Sequence, residues 1–315
     1  IVSAREINKF HGTFLSSIMK YQVNGRIHAE INQLRGDNGG TVSGRLSMSN
    51  PNLQQVPARN KVFGPKIRSL FIPEDGYKWG SFDYSQQEPR MTVHYAASIG
   101  EGYEGSNELV QAYQNSEADF HQTVADLVGI ERTQAKTIGL GLMYGMGKQK
   151  LAISLGVSKD EANELIIKYN KKVPFVKKLS DRCKYAADEK GVIRTKKGRK
   201  CRFDMWETRD FGLHIAEKYE DAVAKYGKDN IKRAFTYKAL NRLIQGSSAD
   251  QTKQSMLDCY KDGHLPMLQI HDELCFNIKD DKHAKQIQKI MQNSIKFKVP
   301  SVVDYGLGES WGDAK

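Results

Sequence analysis

The chain has 315 residues, 39% of them apolar, and carries 48 Lys and Arg against 37 Asp and Glu for a formal net charge of +11 at pH 7. That apolar content supports one large core or two modest ones and excludes a disordered chain, while the basic excess favours a polyanionic partner without proving one. Cys183, Cys201, Cys259 and Cys275 form no C-x-x-C pair, and no apolar run approaches the ~20 residues of a membrane span, so zinc, a disulfide framework and a membrane class are not indicated.

The scattered cysteines predict a reducing compartment, and the first residues, "IVSAREINKF", lack Met and a signal-peptide core and read as the tail of a helix, which predicts a fragment or processed chain. "YQVNGRIHAEI" sets Asn24-Gly25 between alternating residues, a two-residue hairpin signal. The following "GDNGGTVSGRLSMSNPNLQQVPARN" is a long irregular segment of the kind that either binds something or merely connects. "IRSLFIP" and "YKWGSFD" read as strands, and a helix is expected over residues 86–98.

The middle reads as helical through "QAYQNSEADFHQTVADLVG", "ERTQAKTIGLGLMYG" and "SKDEANELIIKYNKK", the last opened by a Ser158/Glu161 capping box. "KGVIRTKKGRKCR" puts seven basic residues among thirteen around a Gly-centred turn, a solvated charge run or a phosphate-binding hairpin. Helices are expected over residues 212–233 and 235–261, then strand, tight turn and strand in "MLQIHDELCFNI", and a final helix over 282–297.

Two places put acids where apolar strands end: Asp272 and Glu273 in "QIHDELCF", and Asp83 in "WGSFDYSQQEPR". A carboxylate there loses hydration and needs a cation, hydrogen bonds or a metal in return. If the two strands are neighbours, Asp83 and Asp272 converge, and a divalent cation relieves their repulsion; with oxygen ligands only, it is Mg²⁺ or Mn²⁺. Spacing alone also allows two unrelated strand-end acids. In "ERTQAKTIGLGLMYG", Arg132, Lys136, Leu140 and Tyr144 recur every four residues as one stripe, cations first and an aromatic last. Such a stripe suits a nucleotide, phosphates on the cations and base over Leu140 and Tyr144. Gly139, Gly141 and Gly145 would allow close approach or bending, or simply tight packing.

"DYSQQEPR", "RTQAKTIGLGLMYG" and "QIHDELCF" resemble the A, B and C motifs of family A DNA polymerases, the group of bacterial DNA polymerase I and related phage replicases. The resemblance continues through "GRLSMSNPNLQQVPARN" and "KALNRLIQGSSAD", in the right order over nearly the whole chain. It implies an α+β, right-hand polymerase fold with an antiparallel palm sheet and helical fingers, the thumb largely absent. The palm would occupy 1–98, starting at the end of the thumb, and 238–315, with fingers and connecting helices over 99–237.

The same resemblance implies primer extension with dNTPs, two Mg²⁺ ions (Mn²⁺ as substitute) and primer-template DNA as partner. Asp83, Asp272 and the Tyr84 carbonyl would hold the metals. Arg132, Lys136 and His121 would contact the triphosphate, with Lys136 also protonating the departing pyrophosphate. Glu88 would be a steric gate against the ribose 2′-hydroxyl. Arg45, Asn241 and Gln245 would contact the primer-template, chiefly in the minor groove, where acceptors are much the same for every correct pair, and His271 would lie against the primer end. Glu273 would lie beside the metals.

Leu140 departs from the Phe or Tyr common at its position, so dideoxynucleotide acceptance should differ from that of a Leu140→Tyr variant. Pro89 replaces a common Leu, and Tyr237 falls where bacterial members often have Arg. Residues 205–232 form a longer connection without an assigned role. A bacterial or phage-infected cytoplasm is the expected setting, with a processivity factor or upstream exonuclease and thumb domains as further possibilities. A single-subunit RNA polymerase or a non-catalytic nucleic-acid clamp are the alternatives.

Overall fold

Alternation of Trp79, Ser81 and Asp83 with Phe82 and Tyr84 is what a strand between two packed layers requires, and a computed structural model of the chain forms one there. It describes residues 2–34, 39–57, 60, 62–115, 119–210, 212 and 214–314. The elements that carry the site are, in chain order, β1 (Lys78–Tyr84), α1 (Gln87–Ala97), α2 (Phe120–Val128), α3 (Arg132–Met143), α4 (Ala239–Lys261), β2 (Leu268–Ile270), β3 (Glu273–Ile278), α5 (Asp281–Asn293) and β4 (Val303–Gly308). The chain separates into two compact units, the first Ile1–Gln87, Ser248–Lys296 and Ser301–Lys315, the second Glu88–Ser247 and Phe297–Pro300.

The first unit is built on a four-stranded antiparallel sheet in the order β2-β3-β1-β4. Both of its faces are covered, so its strands carry apolar residues on both sides. One face packs Phe82, Leu274, Phe276 and Val303 on Ile287 and Met291 of α5. The other packs Trp79, Cys275, Leu268 and Trp311 against Phe14, Leu53 and Ile67. Phe82 is fully buried, and its truncation to Ala would cost about 3–5 kcal/mol. Upstream, Gln22↔Ile27 and Val23↔Arg26 close the expected hairpin, with Asn24 (φ 51°) and Gly25 (φ 77°) both left-handed.

The second unit is mainly helical around a core that includes Phe120, Val124, Ile138, Leu151, Tyr169, Phe175 and Leu179. Ser158 and Glu161 form the reciprocal cap expected of them. The basic stretch is a hairpin, Val192–Arg194 against Lys200–Arg202. A Cβ at Gly139 would come within 3.2 Å of the Tyr169 hydroxyl, and Gly145 (φ 71°) turns the chain just after α3. Tight packing accounts for the first glycine and backbone freedom for the second.

Several boundaries differ from expectation. "IRSLFIP" is not a strand: Phe63–Arg68 is a short helix, and its alternation fails because Leu70 and Ile72 stay exposed. Residues 212–233 are not one helix. Trp206–Thr208 pairs with Ile231–Arg233, and Tyr219–Tyr226 is the helix between them, stopped by left-handed Gly227. The next helix starts at Ala239, because Phe235 is left-handed and a 3-10 turn follows it. The final helix ends at Asn293 rather than 297. Parts of the irregular loop (36–38, 58–59) and of the 111–129 stretch (116–118) lie outside the described residues. Among the described residues no helix is long and apolar enough to cross a membrane, and the four cysteines are buried free thiols.

Candidate active site

In the first unit the sheet register decides which acids meet. Asp83 lies opposite Glu273 of β3 on one side and Asp304 of β4 on the other. Asp272 is the residue before Glu273, in the two-residue turn that joins β2 to β3, where His271 is left-handed (φ 55°). The strands are therefore neighbours, and the ends that carry Asp83 and Asp272 come together. Asp83 is exposed between buried Phe82 and Tyr84.

Tyr84 anchors the end of β1 through its hydroxyl, 2.5 Å from Ser255 Oγ and donating to the Met291 carbonyl at 2.6 Å. Burial pushes that phenol up to about 12. Glu273 turns away into the sheet's packed face. Its Oε1 accepts the Trp311 indole N–H at 3.0 Å and the Cys275 thiol at 3.5 Å. The Arg68 guanidinium stacks 4.4 Å over the Trp311 ring, held below its usual range by burial and partly restored by the Glu273 charge.

The hairpin turn is tied to the segment bearing Arg45. Gln54 Nε2 donates to the Leu46 carbonyl (3.3 Å) and to Gln269 Oε1 (3.1 Å), and Gln269 Nε2 donates to the His271 carbonyl (2.5 Å). Arg45, Lys253, Gln269 and His271 line one small cleft. Partial burial and the Arg45 charge lower the His271 pKa against the pull of Asp272 and Glu273.

In the second unit α3 presents the expected stripe: Arg132, Lys136 and Tyr144 are exposed and Leu140 half-buried, while Ala135, Ile138, Gly139 and Met143 face the core. Arg132 is paired with Asp119, Nη2 to Oδ2 at 2.6 Å and Nε to Oδ2 at 2.8 Å. His121 is buried in the first turn of α2, and burial takes it down to about 4, helped by Lys136 and Arg132 and opposed by Asp119. It is neutral at pH 7. Its buried Nδ1 has no partner among the described residues. Tyr144 donates to Glu88 Oε2 at 2.5 Å, joining the end of α3 to the first turn of α1. Asn241 and Gln245 sit one turn apart on α4, half-exposed beside buried Leu240 and Ile244.

Each predicted side chain thus lies in one of two groups: Arg45, Asp83, Tyr84, His271 and Asp272 in the first unit, Glu88, His121, Arg132, Lys136, Leu140, Tyr144, Asn241 and Gln245 in the second. Asp119, Arg68, Trp311 and Lys253 escaped sequence reasoning. Only Asp119 left a signal, as an acid at a helix start. Among the described residues no three His, Cys, Asp or Glu side chains form a ready metal cage. Two carboxylates and a carbonyl nevertheless fit a hard divalent ion that completes its shell with substrate phosphate oxygens and water, as Mg²⁺ does.

The sequence profile described as DNA polymerase family A matches residues 1–313. A DNA-directed DNA polymerase of Pseudomonas phage M6 is 38% identical over 98% of this chain and 50% of its own length. A protein of Acinetobacter phage SH-Ab 15497 named DNA polymerase DpoZ is 30% identical over 97% of this chain and 50% of its own. Among solved structures, the POL domain of Pol1 from M. smegmatis in complex with DNA primer-template and dNTP superposes with a TM-score of 0.79 at 26% identity, covering 99% of this chain and 53% of that one. The chain spans about half the length of the curated phage relatives it matches.

Proposed function

The chain belongs to DNA polymerase family A, and on that premise we propose that it performs template-directed extension of a DNA primer, joining dNTPs to the 3′-hydroxyl and releasing pyrophosphate. The observation that carries the reading is the ladder register, which sets Asp83 directly opposite the residue that follows Asp272. We assign the palm to residues 1–98 and 238–315 and the fingers with connecting helices to 99–237, so that most of the first unit is palm and most of the second is fingers.

Asp83, Asp272 and the Tyr84 carbonyl would hold two Mg²⁺ ions. When bound, these supply an activated 3′-hydroxyl and charge neutralisation on the triphosphate. Arg132 and Lys136 bind phosphate oxygens, and Lys136 delivers a proton to the departing pyrophosphate. His121, neutral near pH 7, contributes a hydrogen bond rather than a charge. The Tyr144 hydrogen bond holds the Glu88 carboxylate in one position, which lets it exclude a 2′-hydroxyl. Leu140 packs on the base. Arg45, Asn241 and Gln245 read the minor groove for pairing geometry rather than sequence, and His271 lies against the primer end. The setting we assign is the cytoplasm of a bacterial or phage-infected cell.

Primer extension on a DNA template with Mg²⁺, in parallel with dNTPs and rNTPs, tests the reading beside Asp272→Ala. Extension by the parent with dNTPs and none by the variant is expected; equal extension by both would sink it. DNA-binding affinity measured on the same samples separates loss of chemistry from loss of substrate.

A further inference from the structure

Asp119 divides its two oxygens between two tasks. Oδ1 accepts the backbone N–H groups of His121 (2.9 Å) and Gln122 (3.2 Å), capping α2. Oδ2 accepts both Nε and Nη2 of Arg132. Although partial burial raises it, the bonds from Arg132 and the two backbone N–H groups hold the Asp119 carboxyl below its usual range, so it is ionised at neutral pH.

Arg132 needs such a partner. It is the first residue of α3, where the helix dipole repels a cation, and a free arginine samples many rotamers. With Nε and one N–H of Nη2 committed, the guanidinium fork is fixed, and three N–H groups remain for another acceptor. The same carboxylate fixes the turn that carries His121.

We propose that Asp119 is a positioning residue for the nucleotide triphosphate, holding Arg132 in the orientation from which its remaining N–H groups meet phosphate oxygens. This rests on the reading of Arg132 as a triphosphate contact. The opposite effect is also physical, because a carboxylate beside a polyanion repels it. The Arg132 side chain is 45% exposed and that of Asp119 30%, so water and salt screen that repulsion. Orientation is not screened, and it sets the sign.

Asp119→Asn retains an oxygen for the cap but offers Arg132 an amide N–H₂, which cannot accept. Its KM for dTTP should rise ~5- to 10-fold, with kcat within about twofold, a coupling of ~1–1.4 kcal/mol. In direct binding with Mg²⁺ present, the Kd for dTTP should rise in step and that for dTMP should not move. Asp119→Ser, another good capping residue that lacks the second oxygen, should match Asn; a Ser variant with the parent's KM would show that losing the Arg132 acceptor is without effect and overturn the proposal. Arg132→Ala should raise KM, and adding Asp119→Asn to it should change nothing more. If Arg132→Ala raises KM while Asp119→Asn lowers it or leaves it unchanged, the positioning role is wrong and the triphosphate contact stands. If Arg132→Ala has no effect on KM, the contact itself is wrong and the proposal falls with it.

Discussion

The two units fix their polar side chains by different means. In the first, Asp83 and Asp272 are placed by backbone register, and a one-residue slip of β1 would send Asp83 to the opposite face. In the second, Arg132 and Glu88 are placed by side-chain partners, Asp119 and Tyr144, across gaps between helices. Register is all-or-none, whereas a side-chain hydrogen bond can be weakened without moving the backbone. Substitution of Asp83 or Asp272 should therefore abolish an activity that loss of the Asp119 or Tyr144 hydrogen bond only retunes.

The sharpest test of that contrast is Asp83→Ala or Asp272→Ala, expected to lower kcat for primer extension by about 10³-fold. Because Asp83 is exposed, its loss should shift the melting temperature by only about 1–2 °C. Glu88→Ala should leave dNTP extension largely intact while raising rNTP incorporation relative to dNTP by ~10²-fold, read from competing-substrate kinetics. An unchanged ratio would remove Glu88 from sugar selection.

Glu273→Gln divides the acids of the hairpin by role. The half-saturating Mg²⁺ concentration should stay as in the parent, while stability falls by about 1–3 kcal/mol in urea unfolding, because the Trp311 N–H and Arg68 lose a buried anion. A shift in Mg²⁺ dependence with unchanged stability would make Glu273 a ligand after all. The smallest effect concerns pH. His121 is depressed from 6.5 to about 4 by burial, so between those values the unfolded chain binds a proton that the folded chain does not. Its contribution is fully present above pH 6.5 and is lost as pH falls towards 4. His94, lowered to about 4 by burial and by Lys196 and Lys298, acts in the same window. His121→Gln should flatten the acid side of the stability profile without changing it above pH 7.

The acids of the first unit's sheet were legible because their chemistry breaks a pattern: Asp83 and Asp272 interrupt apolar runs, and the two-residue turn between β2 and β3 admits few alternatives. The α3 stripe was legible for a similar reason, since 3.6-residue periodicity places Arg132, Lys136, Leu140 and Tyr144 on one side. The connection over 205–232 was not. Its apolar residues mimic helical spacing, while the pairing of Trp206 with Arg233 that shapes it is non-local. The Asp119–Arg132 and Glu273–Trp311 bonds were equally hidden, because hydrophobic periodicity says nothing about which polar partner a side chain finds after folding.

Trp311 has a consequence for the order in which the molecule becomes native. The second unit is nearly continuous in sequence, whereas the first is assembled from three segments, and Trp311 follows every strand of its sheet. Non-local closure is slow. Until that indole docks, Glu273 lacks its N–H partner, and the hairpin bearing Asp272 misses one of its anchors. Pulse-labelled hydrogen exchange during refolding should find α2 and α3 amides protected before those of β3, so that the residues expected to do the chemistry are among the last to be secured.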